Sequence, residues 1–366
     1  MNSSQNSNSE IEMNSSQNSN YENESEEELL EIIKSKYNEG EKESKNLNNI
    51  NKNKEIYLEI ICKIKFNKYL DEIYKVYLLS DKRISIETEH KIKIYSLKTF
   101  QLITEIKIES KYNSIELKNK DIAVAHYVNI DFYKLSGKKY ILYQKIKDEE
   151  EIISIYELKN GNLIAGIHRG LIIYQKEKGQ YKLLSKYDMP DHVQKIIEIK
   201  DDILFIFCIG GSSYATADYI PFYLLNLDIK NKKVSTLNSS IVWYGNDKDA
   251  LFDCNFLIYK NKYLFVRYAQ SFDIYNIEGD IKFINDKNKK NYFFHIFSEG
   301  FCHYNNDNFI IFPALDICKY DEKSNEFIFV NKFPFKKDNI NEIIKLKNNN
   351  FIIYTKNEVY LIKNFN

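Results

Sequence analysis

The sequence predicts an all-β domain over residues 55–366, behind a tail, residues 1–54, of different composition. Three observations predict it. After residue 55 the apolar residues come in short runs rich in Ile, Tyr, Phe and Val, separated by Asn, Lys, Asp and Gly, which is the texture of strands and turns. No convincing helical period longer than ten residues follows residue 70, LDEIYKVYLL at 70–79 being the ambiguous stretch. A unit of four short strands, the third ending in an aromatic anchor, recurs along the whole domain.

The anchor strands align as KIKIYSL (91–97), NIDFYKL (129–135), GLIIYQK (170–176), IPFYLLN (220–226), FDIYNIE (272–278), DICKYDE (316–322) and NEVYLIK (357–363). Tyr95, Tyr133, Tyr174, Tyr223, Tyr275, Tyr320 and Tyr360 then stand 38, 41, 49, 52, 45 and 40 residues apart. Seven four-stranded units with a period near forty predict a seven-bladed β-propeller. The third unit is the clearest, with strands at 152–158, 163–167, 171–176 and 181–187 and Gly or Asn in its turns. The seventh unit stops at Asn366 one strand short, while EIYLEIICKIKF at 55–66 is a strand without a unit. An N-terminal strand that completes the last blade closes the ring and removes an exposed edge. Pro221 weakens the fourth unit, because it falls in a strand expected to be flanked on both sides. A six- or eight-bladed ring, or two stacked sandwiches, would use the same strands.

In period, strand order and closure, residues 55–366 resemble WD-repeat propellers, with tyrosine where that family places its anchoring tryptophan. The resemblance implies that the second-to-third-strand turns and the blade-to-blade connections open on one common face.

The tail carries eleven acidic residues against six lysines, and MNSSQNSN at 1–8 recurs at 13–20. So little apolar surface cannot offset ordering entropy, so disorder is expected there. SEEELLEIIKSKYN at 25–38 reads as a short solvated helix capped by Ser25, or as a docking peptide.

Composition excludes several functions. Charges balance at 52 basic against 52 acidic, with Arg83, Arg169 and Arg267 the only arginines, so no basic field for nucleic acid exists. The longest apolar run, 203–210, is too short to span a bilayer, so no membrane insertion is expected. Cys62, Cys208, Cys254, Cys302 and Cys318 are odd in number and scattered, and the chain starts without a basic-then-apolar leader. A reduced, cytoplasmic or nuclear protein is expected.

Chemistry is thin at the level of sequence. His90, His126 and His168 fall at successive second-to-third-strand turns, too far apart for one metal, and read as solvated. Cys302, His303 and Cys318 lack a fourth zinc ligand and read as core. GGSS at 210–213 is neither a phosphate loop nor a nucleophile elbow. His168-Arg169-Gly170 faintly resembles the two-arginine lipid element of phosphoinositide-binding propellers, with one arginine only. The inner strands read VYLL, IEL, IISI, IIEI, FLIY and IIKL, with little polar content. No metal or cofactor is expected.

The two longest irregular segments, 210–219 and 238–252, should lie side by side on the common face in and after blade 4. They offer Tyr214, Tyr219, Trp243, Tyr244, Asp247 and Asp249, aromatics with a polar rim, which is the composition of a partner-binding site. A packing role for Trp243 and Phe252 over the blade junction is the alternative. The expected function is a non-enzymatic interaction scaffold for a peptide or protein partner, working as a monomer within a complex. A propeller-fold hydrolase or lyase with polar groups at the channel is the second reading, and phosphoinositide or membrane-surface binding the third.

Overall fold

A computed structural model of the chain describes residues 58–67, 71–108, 112–210, 219–243, 254–268, 271–278, 281–283, 300–305, 307–312, 315–324, 326–335 and 340–364. The expected tail lies outside the described residues. Within them the chain forms seven four-stranded antiparallel sheets, and no helix. Six follow in chain order over 73–107, 112–147, 152–188, 192–243, 254–283 and 300–332. The seventh joins the strands of 342–364 to Leu58–Lys65, which pairs along Glu358–Asn364 as the outermost strand. The ambiguous stretch at 70–79 supplies the strand Ile73–Leu78, the first of blade 1.

Seven apolar clusters hold the sheets together, each shared by two consecutive blades. The cluster of Ile73, Val76, Ile84 and Ile86 with Ile352, Tyr354, Val359 and Leu361 joins blade 7 back to blade 1, so the ring of a seven-bladed β-propeller is closed. Alternation along a strand explains the packing. In Ile203–Ile209, Leu204, Ile206 and Cys208 face blade 3, whereas Phe205, Phe207 and Ile209 face blade 5. A sheet buried on both faces needs an unbroken apolar run, and this is the longest in the chain. Each fully buried Leu, Ile or Phe contributes roughly 1.5–3 kcal/mol.

All seven anchor tyrosines lie on third strands. In six blades the outer strand carries one extra residue against the third: Ile103, Tyr143, Leu184, Leu237, Val330 and Ile61. Such bulges twist an edge away from edge-to-edge pairing. The bulge faces Tyr95, Tyr133 and Tyr174 in the first three blades, but Leu225, Cys318 and Ile362 in blades 4, 6 and 7. Tyr223, Tyr320 and Tyr360 are therefore two positions away from true equivalence. Pro221 fits its strand because the ladder between the second and third strands of blade 4 ends at Phe207 and Phe222, and Pro221 pairs only with Ile241 of the outer strand.

Carboxylates tie neighbouring blades at the face opposite the second-to-third-strand turns. Glu116, Glu157 and Glu198, each closing or nearly closing an inner strand, accept the backbone N–H of Ser80, Lys118 and Lys159 from the preceding blade, each at 2.6 Å. A hydrogen bond to a charged acceptor contributes about 1.5–3 kcal/mol.

Candidate functional site

At the end that carries the second-to-third-strand turns, blades 3 and 4 bring together His168, His192 and Glu151 from three separate segments. His168 and Arg169 form the turn between Leu163–Ile167 and Gly170–Glu177, the second and third strands of blade 3. His192 opens His192–Lys200, the inner strand of blade 4, and Asp191 precedes it. Glu151 lies on the connection into blade 3. Two glycines shape this corner. A Cβ on Gly166 would overlap Ser154 Oγ and Val193 Cγ1, so the bare Cα lets the inner strand of blade 4 close on the second strand of blade 3. A Cβ on Gly170 would overlap the Tyr187 carbonyl.

The consequence is a file of three groups. His168 Nδ1 lies 2.7 Å from His192 Nδ1, and His168 Nε2 lies 3.0 Å from Glu151 Oε2. The rings meet nearly perpendicular, at 83°. His192 is buried, and Glu151 is half exposed. Beside them the Tyr223 hydroxyl donates to Asp191 Oδ2 at 2.5 Å, and Asp191 is buried. The hydrogen bonds assign the protons. A carboxylate accepts only, so His168 Nε2 carries hydrogen toward Glu151. If His168 is neutral, its Nδ1 accepts from His192 Nδ1–H, and the lone pair of His192 is then on Nε2. The contact has room for one hydrogen between the two rings, with the Glu151 carboxylate at the solvent end.

The sequence reading took His168 for a solvated turn residue and gave His192 no role. His192 starts a strand, which placed it outside the series of turns, yet that strand begins directly beside the turn of the preceding blade. His126, expected on the corresponding turn of blade 2, is instead the last residue of the strand before that turn and lies 3.1 Å from Asp131 of its own hairpin, and His90 is exposed. Cys302 and Cys318 belong to clusters on opposite faces of blade 6, so they are core thiols. Among the described residues no group of three or more His, Cys, Asp or Glu could hold a metal ion.

Of the expected partner-binding set, Tyr214, Tyr244, Asp247 and Asp249 lie outside the described residues. Residues 219 and 238–243, expected in loops, are strand: Tyr219 opens Tyr219–Asp228 and Trp243 closes Lys233–Trp243. The two are direct cross-strand partners. His192 pairs with Ile209 at the same end of that sheet, so His192, Tyr219 and Trp243 all mark the end of blade 4 from which residues 210–218 and 244–253 depart.

No family model matches the chain, and no curated protein matches it. Solved structures do. A catalytically inactive histidine-to-alanine variant of virginiamycin B lyase from Staphylococcus aureus, with quinupristin, superposes with a TM-score of 0.54 at 10% identity, over 84% of this chain and 99% of that one. The WD40 propeller domain of Doa1 gives 0.53 at 9%, over 84% and 97%. The extracellular domain of a putative one component system from B. thetaiotaomicron gives 0.55 at 13%, over 84% of this chain and 40% of that one. At such identities the likeness shows the fold alone. Two expectations are nonetheless corrected. The absence of enzymatic activity was deduced from apolar inner strands, but lyases are built on this fold and the titratable groups here sit at strand ends and connections. The cytoplasmic or nuclear location was deduced from unpaired cysteines, but extracellular domains share the fold, and burial keeps Cys208, Cys302 and Cys318 unpaired in any compartment.

Proposed function

We propose that the protein is a recognition propeller that presents the blade 3–4 end of one face to a peptide or partner domain. The observation that carries this reading is the cross-strand pairing of Tyr219 with Trp243 at the root of both long connections, at the same sheet end as His192. Tyr214, Tyr244, Asp247 and Asp249 on those connections complete the surface. Aromatic anchors in such a position each carry about 2 kcal/mol or more. A lyase-type reading of the same face is favoured by the Glu151–His168–His192 file together with the fold shared with virginiamycin B lyase. In it His192 and His168 meet a bound substrate rather than a partner.

One experiment addresses both. Peptides selected from a display library on the full chain are titrated against wild type, Trp243→Ala/Tyr244→Ala and His192→Gln, with melting measured on the same preparations, and quinupristin is incubated with each and followed by chromatography. The recognition reading expects a stably folded double variant with at least about 30-fold weaker peptide binding. Unchanged binding in a stable double variant overturns it. Conversion of quinupristin by wild type and not by His192→Gln would move the conclusion to the lyase reading.

A further inference from the structure

Charge that balances along the sequence is separated in space. In an antiparallel four-stranded blade the first-to-second and third-to-fourth turns share one end, and the second-to-third turns and blade-to-blade connections share the other. Among the described residues, the turns of the first end take two lysines from blade 1, three from blade 2, two each from blades 3, 4 and 5, and one each from blades 6 and 7. All but Lys262 are exposed. Seven carboxylates stand against them, and several are engaged within the same end: Asp81 accepts from Arg83, Asp201 from Lys159, and Asp307 and Glu322 hold Lys260. The other end reverses the sign. Its described turns and connections hold eight carboxylates, four of them in the run 148–151, against Arg169 and Lys356.

We infer that the lysine end is a docking surface for an anionic lipid bilayer, reversible and without insertion, whatever the opposite face binds. Three features select a plane of charge over a nucleic acid strand or a peptide. Lysines come from every blade, so the positive field is spread round the ring and follows no single track, as a phosphate backbone requires. The turns that carry them are two to five residues long, so the ammonium groups stand near one level. No arginine lies in these turns, and Arg83, which opens the second strand of blade 1 beside them, is buried against Asp81 and Tyr140. Ammonium groups are hydrated point charges on flexible stems, suited to a diffuse layer of headgroups, whereas a guanidinium fork grips one defined phosphate. The acidic end is the third feature. A planar negative surface attracts one end and repels the other, so both sets of charge favour a single orientation. In that orientation the blade 3–4 end with His168 and His192 points away from the bilayer.

Two variants of the full chain lose the same charge from opposite ends. Lys98→Gln/Lys138→Gln/Lys178→Gln changes the third-to-fourth turns of blades 1, 2 and 3, and Lys107→Gln/Lys147→Gln/Lys356→Gln changes exposed lysines at the other end. Cosedimentation with phosphatidylcholine vesicles containing about 30% phosphatidylserine is measured at ionic strengths of about 0.1 M and about 1 M. Wild type and the second variant should bind at the lower salt, and the first variant at least about tenfold more weakly. None should bind at the higher salt or to phosphatidylcholine alone. Lysine acetylation of wild type reads the orientation: vesicles should shield Lys98, Lys138 and Lys178 and leave Lys356 as reactive as in solution. No binding by wild type, or equal loss in both variants, overturns the inference. If the first variant does not fold, shielding of Lys356 with Lys98, Lys138 and Lys178 left reactive does the same. Binding of duplex DNA or polyglutamate in place of vesicles overturns it in favour of a nucleic acid or an acidic protein. Salt-sensitive growth in size without lipid, lost in the first variant, overturns it in favour of the acidic end of a second copy.

Discussion

His168 and His192 are 24 residues apart in the chain and touch because a glycine separates their strands by no more than a bare Cα. The same logic of close approach governs Glu87, a carboxyl almost fully buried on the second strand of blade 1. Ser114 of blade 2 donates to it, and the Tyr77 hydroxyl meets Ser114 Oγ at 2.8 Å. Burial raises the Glu87 pKa, with Lys75 and the Ser114 hydrogen bond acting in the opposite direction. The folded state thus keeps this proton at pH values where the unfolded chain has released it. Its contribution to stability is fully present below the unfolded glutamate value, about pH 4.3, and is lost as pH rises through the folded pKa. Glu87→Gln, which retains an acceptor for Ser114, should therefore gain on wild type as pH increases from about 4.3 to 8. Urea midpoints across that interval check it, and a difference independent of pH would contradict the argument.

At the scale of the element, the strand Leu58–Lys65 decides whether the ring closes. It pairs with Glu358–Asn364 and places Leu58, Cys62 and Ile64 against the clusters on either face of blade 7. Those side chains are only partly buried and contribute on the order of 1 kcal/mol each. The ladder matters more, because without it Glu358–Asn364 becomes an open edge. A chain beginning at residue 68 should aggregate or lose cooperative melting, whereas one beginning at residue 55 should melt as the full chain does. Size-exclusion chromatography and calorimetry distinguish these outcomes, and a monomeric, equally stable product from residue 68 would refute closure by this strand. The outer strands elsewhere show how the ring tolerates edges: Leu102, Ile141, Leu142, Leu183, Leu237 and Phe329 are exposed at or beside their bulges, where the extra residue interrupts the ladder.

For the whole molecule, seven inter-blade clusters mean that most large side chains are shared between sheets, and the thiols show how completely. Cys208, Cys302 and Cys318 are buried, and burial pushes the Cys302 and Cys318 thiols up to about 12 and that of Cys208 well above its ordinary value. Cys62 is raised too, by the same desolvation, but lies half-buried on the closing strand. Thiolate is the reactive species, so a disulfide reagent applied to a folded Cys254→Ser protein should label Cys62 first and reach the other three only on unfolding. Rapid labelling of Cys302 or Cys318 in the folded state would show that the blade 5–6 and 6–7 junctions open. Insulation of this kind also explains why unpaired cysteines carry no information about compartment.

Strand texture, the period near forty, and the match between one missing strand and one spare strand are signals carried by neighbouring residues, and they were enough to define an all-β ring of seven blades with its closure. The rest depended on contacts between blades. Side chains repeat every two residues along a strand, so a slip of two leaves the pattern unchanged, and the displacement of Tyr223, Tyr320 and Tyr360 from the anchor position is invisible until the bulges are seen. The tolerance of Pro221 required knowing where one ladder ends. The histidine pair required knowing that the turn of one blade abuts the first residue of the next inner strand. That juxtaposition comes from ring geometry and from Gly166, and no local pattern around His168 or His192 records it.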